Sequence, residues 1–101
     1  MAVHTHKFNG VRYYIDVDEP YVGWCDRPRR PDPHEYPGIR LPNGLPYDND
    51  KGARDGLIIL LHECAHAENW ELSEARVDRI AREIGSLLWR LGYRRRRPPS
   101  K

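Results

Sequence analysis

Cysteine is scarce in this chain. Cys25 and Cys64 are the only two among 101 residues, too few for a disulfide framework, so reduced thiols inside a cell are the expectation. No C-x-x-C pair occurs, which removes the usual route to a closed, thiolate-rich structural zinc site. Long apolar runs are also missing. Leu57-Ile58-Ile59-Leu60-Leu61 is far short of a bilayer span, and the stretch from Met1 to Lys7 lacks the apolar core of a secretory signal. These absences predict a cytoplasmic protein with no membrane partner. Nor is charge of one sign in excess: 17 Lys and Arg stand against 15 Asp and Glu, for a net charge of +2. Acids and bases alternate until Arg94-Arg95-Arg96-Arg97, the one basic run, and no internal repeat is visible.

What is present fits one small domain. Hydrophobic residues make up 39% of the chain and charged residues 32%, so the core has to be compact, and a bound metal would add stability that such a core lacks. The expected organisation is a domain over 1–93 followed by a basic, disordered tail over 94–101. Within the domain, His62-Glu63-Cys64-Ala65-His66 spells His-Glu-x-x-His. Residues four apart share one face of a helix, so both imidazoles can address one metal ion. The intervening Glu63 can reach a water bound to that ion, and the motif is a zinc-peptidase signature. The bland alternative is one core histidine and one surface histidine. Against it, the apolar run from Leu57 to Leu61 feeds directly into His62 and predicts a helix buried in the core. Asn49, Asp50 and Asp55 are its candidate N-caps. Cys64 lies about 200° around this helix from His62, facing away from the metal.

Before that helix, Val11, Tyr13, Ile15 and Val17 alternate with polar residues and predict a half-buried strand entered through the Asn9-Gly10 turn. The stretch from Tyr21 to Cys25 reads as a second strand, and Ile39-Arg40-Leu41 as a third. The prolines around the third, Pro31, Pro33, Pro37, Pro42 and Pro46, predict a surface connection or an edge strand rather than a central one. After the motif, Ser73 is a good N-cap for a second helix. Its apolar stripe is Val77, Ile80, Ala81, Ile84, Leu87, Leu88 and Leu91, and Gly92 stands at its C-terminal cap.

Catalytic zinc usually takes three protein ligands and a water. Candidates for the third are Glu68, Glu71, Glu74, Asp78, His34 and Cys25. Glu68 points away from His66 on the same helix. Glu74 opens a helix that folds back on the first, which brings its carboxylate over the metal, and it is the preferred ligand; Glu71, in the connection, stays open. First-turn glutamates are also common merely because they favour the helix dipole.

The His62-Glu63-x-x-His66 helix, followed by Glu74-Ala75-Arg76-Val77-Asp78, resembles the gluzincin metallopeptidases, whose second helix carries Glu-x-x-Ala-Asp. Val77 stands in place of the usual alanine, and the interval from His66 to Glu74 is shorter than in most members. Length and element order are similar to the small single-domain members, the minigluzincins, and to related phage and bacterial peptidases. The resemblance implies an α+β, zincin-like fold with a small mixed sheet packed on the motif helix and the glutamate helix behind it. It implies a zinc metalloendopeptidase, a hydrolase of peptide or protein substrates, with His62, His66 and Glu74 as metal ligands and Glu63 as general base. It further implies that Asp78 accepts a hydrogen bond from a ligand imidazole, and that an edge strand, from Ile39 to Leu41 or from Tyr21 to Trp24, pairs with substrate. Tyr36, Tyr47 and His34 are candidates for stabilising the transition state. The competing reading is a catalytically idle zinc protein, or a nucleic-acid partner that uses the basic C-terminal region. Oligomeric state is not legible from the sequence.

Overall fold

The computed structural model describes residues 4–19, 24–27, 37–42, 46–48 and 50–96. In chain order its elements are β1 (Thr5–Phe8), β2 (Val11–Glu19), β3 (Trp24–Cys25), β4 (Gly38–Pro42), α1 (Ala53–Glu68) and α2 (Glu74–Arg90). This is an α+β arrangement with one mixed sheet in the order β1-β2-β4-β3. β1 and β2 form an antiparallel hairpin, β2 and β4 run parallel, and β3 returns antiparallel to β4. Asn9 and Gly10 both have positive φ, 50° and 78°, the backbone that a two-residue hairpin loop favours.

β4 lies between β2 and β3, so Ile39-Arg40-Leu41 is a central strand and the expected edge position is corrected. The prolines do not prevent this because Pro37 and Pro42 sit at the two ends of the strand. The residues between them keep their N–H groups for the ladder. Ile39 and Leu41 are fully buried. The alternation read in β2 holds. Tyr13 is fully buried, Val11, Ile15 and Val17 pack against the same core, and Tyr14 and Asp16 face outward. Of the stretch expected as the second strand, Trp24 and Cys25 form β3, while Tyr21, Val22 and Gly23 lie outside the described residues.

α1 packs on one side against strands β1, β3 and β4 and on the other against α2, which touches no strand among the described residues. The motif helix is therefore the middle layer, with the glutamate helix behind it. Its apolar run is only half-buried throughout, from Leu57 to Leu61. A four-stranded sheet with a two-residue edge is too small to cover the helix, and the flanks of α1 open into two clefts. None of the expected residues caps α1. The N-cap is Gly52 at φ 83°, with no side-chain cap bond, a left-handed conformation that glycine adopts without strain.

Ser73 caps α2 as its sequence predicts, its Oγ accepting from the Arg76 N–H at 3.2 Å. At the other end Gly92 N–H donates to Trp89 O and Tyr93 N–H to Leu88 O, the paired bonds of a Schellman cap. The stripe between is narrower than its periodicity predicts. Val77, Ala81 and Gly85 are buried, whereas Ile84, Leu87 and Leu91 are 46%, 53% and 64% exposed. Among the described elements α2 has one neighbour, and it meets that neighbour through small residues. A Cβ on Gly85 would lie 2.8 Å from Ile58 Cγ1, so the two helices approach as closely as a missing side chain permits.

The expected basic tail begins against the body of the protein. The Arg94 guanidinium stacks 3.3 Å above the Trp89 ring and donates to Trp89 O. Arg95 lies over the Tyr47 ring at 4.3 Å, and its carbonyl accepts from the Asp48 N–H. Arg97 and the residues after it lie outside the described residues.

Candidate metal centre

His62 and His66 are one turn apart on α1, with ring centroids 4.9 Å apart. The α1–α2 turn brings the first residue of α2 back over them. Glu74 Oε1 is 2.8 Å from His62 Nε2, and Glu74 Oε2 is 2.8 Å from His66 Nε2. One carboxylate thus bridges the two imidazoles, hydrogen-bonded to His62 and at ion-pair distance from His66. Glu63 completes the group, with a ligand atom within 4.8 Å of those of both histidines.

Glu63 is the only buried charged residue among those described, at 5% exposure, whereas the Glu74 side chain is 73% exposed. The two carboxylates are therefore chemically distinct. Burial pushes the Glu63 carboxyl above the usual carboxylate range, His62 works against that shift, and Glu74 adds to it. A carboxylate so raised is a stronger base than an exposed one, which suits it to taking up a proton. Glu74, in water at the mouth, is suited to hold rather than to react.

The donor set fits a zinc ion. A tetrahedral site with bonds of about 2.0–2.1 Å has ligand-to-ligand edges of about 3.3–3.4 Å. Both imidazole–carboxylate distances are within about half an ångström of that edge. Two neutral nitrogen donors and one carboxylate also match the composition of open catalytic zinc sites.

The surroundings orient the rings by means the sequence did not announce. Trp70 stacks on His66, with centroids 5.2 Å apart and planes 16° from parallel. The indole Nε1–H in turn donates to the Tyr13 hydroxyl at 3.2 Å, which ties the site to the buried face of β2. His66 Nδ1 is buried with no hydrogen-bonding partner among the described residues, so stacking takes the orienting role that an acceptor usually plays beside a ligand histidine. Trp70 lies two residues beyond the end of α1, so helical spacing from His62 and His66 does not place it. Asp78 Oδ1 is 3.9 Å from His62 Nδ1, too far for the expected hydrogen bond. Its other oxygen accepts from Arg82 Nε at 3.0 Å.

A cleft of about 860 Å³ opens over the histidines, with Cys25, Asp26 and Arg27 from the β3 end on one side and Asp78 and Arg82 of α2 on the other. Arg27 sits 5.9 Å from the Trp70 ring centroid. No local signal marks Arg27, because its place depends on the pairing of β3 with β4. Both cysteines are free. Burial, with Glu63 nearby, pushes the Cys25 thiol up to about 12 and the Cys64 thiol up to about 11, so in the metal-free protein both are held as neutral thiols.

The remaining candidates lie elsewhere. Glu68 accepts from the Asn9 N–H on the hairpin side of α1. Glu71 is exposed in the turn, where its N–H donates to Asn69. Tyr47 lies beneath the Arg95 guanidinium, and its neighbours Pro46 and Asp48 line a second cleft with Trp89 and Arg95, to which no histidine contributes. His34 and Tyr36 lie outside the described residues. No described helix is long and apolar enough to cross a membrane. No family model, curated protein or solved structure matches this chain.

Proposed function

We propose that this protein is a zinc-dependent metallopeptidase of gluzincin type, with His62, His66 and Glu74 as ligands and Glu63 as general base. The observation that carries the reading is the single carboxylate of Glu74 meeting both Nε2 atoms at 2.8 Å beside a buried glutamate. Zinc bound there would acidify a water molecule and polarise the carbonyl of the scissile bond. Glu63 takes the proton of the attacking water and passes it to the leaving amine nitrogen. Burial suits it to both steps, because it raises the affinity of the carboxylate for that proton. His62 and His66 present Nε2, and Trp70 fixes the plane of His66.

The substrate is an extended peptide. β3 is an edge of the sheet and its Cys25 lines the cleft, so a peptide strand pairing with β3 would run past the histidines. Arg27 at one cleft wall supplies donors suited to the carbonyl oxygens of a peptide, while Arg82 on the other is paired with Asp78. The nucleic-acid reading draws on the terminal arginines, two of which are turned onto Trp89 and Tyr47.

Zinc-loaded wild type and Glu63→Gln, incubated with a broad peptide library and read by mass spectrometry, test the proposal. Wild type should cleave. The variant should keep stoichiometric zinc and its fold while losing at least about a hundredfold in rate, the lower end of what a positioned base contributes. Equal rates in the two proteins would remove Glu63 from the mechanism, and an inactive wild type that binds zinc would favour the idle-metal alternative.

A further inference from the structure

The exposed flank of α2 has no use in the reading above. Ile80, Ile84, Leu87 and Leu91 follow at steps of four, three and four residues, the spacing of a two-helix seam. Ile80 is half-buried, the other three are among the most exposed large apolar side chains of the described residues, and no described strand or other helix covers them. The stripe is on the side of α2 turned away from Asp78 and Arg82, so covering it would leave the metal cleft open. Glu83 and Arg90 flank it on one side. Both are exposed, and among the described residues neither is in an ion pair.

We infer that α2 is a self-association surface, on which a second copy of this chain packs its own α2 antiparallel through the same stripe. Such an interface is isologous, so each residue must meet a complementary one under a twofold axis. With the axis beside Gly85 and Ser86, Ile84 meets the partner's Leu87 and Ile80 meets the partner's Leu91. The same register sets Glu83 beside the partner's Arg90, and by symmetry Arg90 beside the partner's Glu83. Opposite charges therefore fall together on the flank, twice, with no adjustment of the sequence. A parallel pair would set Glu83 and Arg90 against the opposite side of the partner helix, where Ala81 is buried within the fold, and offers no such match. Apolar seam and charge pattern thus select the same partner and the same orientation.

Sedimentation equilibrium of the full chain over a concentration series, with and without zinc, tests this independently of the peptidase reading. The seam is short, so dissociation in the micromolar range, about 1–100 µM, is the expected result. Leu87→Glu should weaken the dimer by at least about a hundredfold, through a buried unpaired charge at the axis. Glu83→Arg and Arg90→Glu should each weaken it about tenfold or more, and the double exchange should return it to within about threefold of wild type, because the pair is re-formed in reverse. All three substitutions are at exposed positions, and circular dichroism and zinc content should be unchanged in every variant. A wild type that stays monomeric throughout overturns the inference and leaves the stripe to a different partner. A dimer indifferent to Leu87→Glu overturns it as well, and failure of the double exchange to restore association overturns the antiparallel register.

Discussion

Replacing Gly85 with alanine should destabilise this protein, against the rule for helix interiors. At an open helical position the exchange stabilises by about 1 kcal/mol. Here the new Cβ would lie 2.8 Å from Ile58 Cγ1, 3.4 Å from Leu61 Cδ1 and 3.5 Å from Ile58 Cα. Non-bonded carbons settle at about 3.5–4.0 Å, so α1 and α2 must part by roughly an ångström at this level. Ile58 cannot easily turn aside, because a β-branched side chain in a helix has one strongly preferred χ1. Overpacking of this kind costs about 1–3 kcal/mol, which exceeds or cancels the propensity gain, and Gly85→Val adds two further methyl groups with less gain to set against them. The effect extends to the site. Glu74 is about three turns away on the same helix, and a shift of α2 carries its carboxylate off the two imidazoles. Urea denaturation in the presence of chelator should show midpoints in the order wild type, Gly85→Ala, Gly85→Val, with zinc affinity falling in the same order. Gly85→Ala combined with Ile58→Ala should cost less than the sum of the single changes, because the second removes the atom struck by the first. A Gly85→Ala protein about 1 kcal/mol more stable than wild type would refute the close approach.

Two further outcomes follow from the site's supports and from the buried thiols. Trp70→Ala should lower zinc affinity about tenfold or more, the scale of losing a group that orients a metal ligand, while Trp70→Phe keeps a stacked ring and most of the affinity; competition against a chromophoric chelator measures both. In metal-free protein, stability should fall as pH rises from about 9 towards 12. The folded state holds the protons of Cys25 and Cys64 more tightly than the unfolded chain, so their contribution is whole below the unfolded value and lost as pH climbs through the folded one. Cys25 alone accounts for up to about 4 kcal/mol, and Tyr13, also raised by burial, adds to the loss. Urea midpoints across that range should decline steeply in wild type and less steeply in Cys25→Ala.

Those features that are local in the chain were legible before any coordinates. The two histidines, the Ser73 cap and the alternation in β2 each arise from periodicity or from a cap a few residues long, and backbone geometry converts such spacing directly into shared faces. The carboxylate of Glu74 was legible for the same reason, since a short turn between two helices leaves its first residue little choice of neighbour. What depends on distant pairing was not. The prolines around β4 point to a surface connection or an edge strand, although only the positions between Pro37 and Pro42 need their N–H groups for a central place in the sheet. The stripe of α2 records apolar spacing but not which part of it α1 covers, so nothing in the spacing separates Ile84, Leu87 and Leu91, which stay exposed, from Val77 and Ala81, which are buried. Trp70 reaches Tyr13 across 57 residues, and Arg27 reaches the cleft through a two-residue strand, contacts that no local pattern encodes.

The central claim is the coordination of the metal, and X-ray absorption at the zinc edge on zinc-loaded wild type tests it most directly. The account predicts one zinc per chain with only nitrogen and oxygen neighbours at about 2.0–2.1 Å and the outer-shell pattern of two imidazoles. His66→Ala should lose one of those imidazoles or lose the metal altogether. A sulfur neighbour at about 2.3 Å would instead place the metal on Cys25 or Cys64, and a wild type that binds no zinc would contradict the account outright.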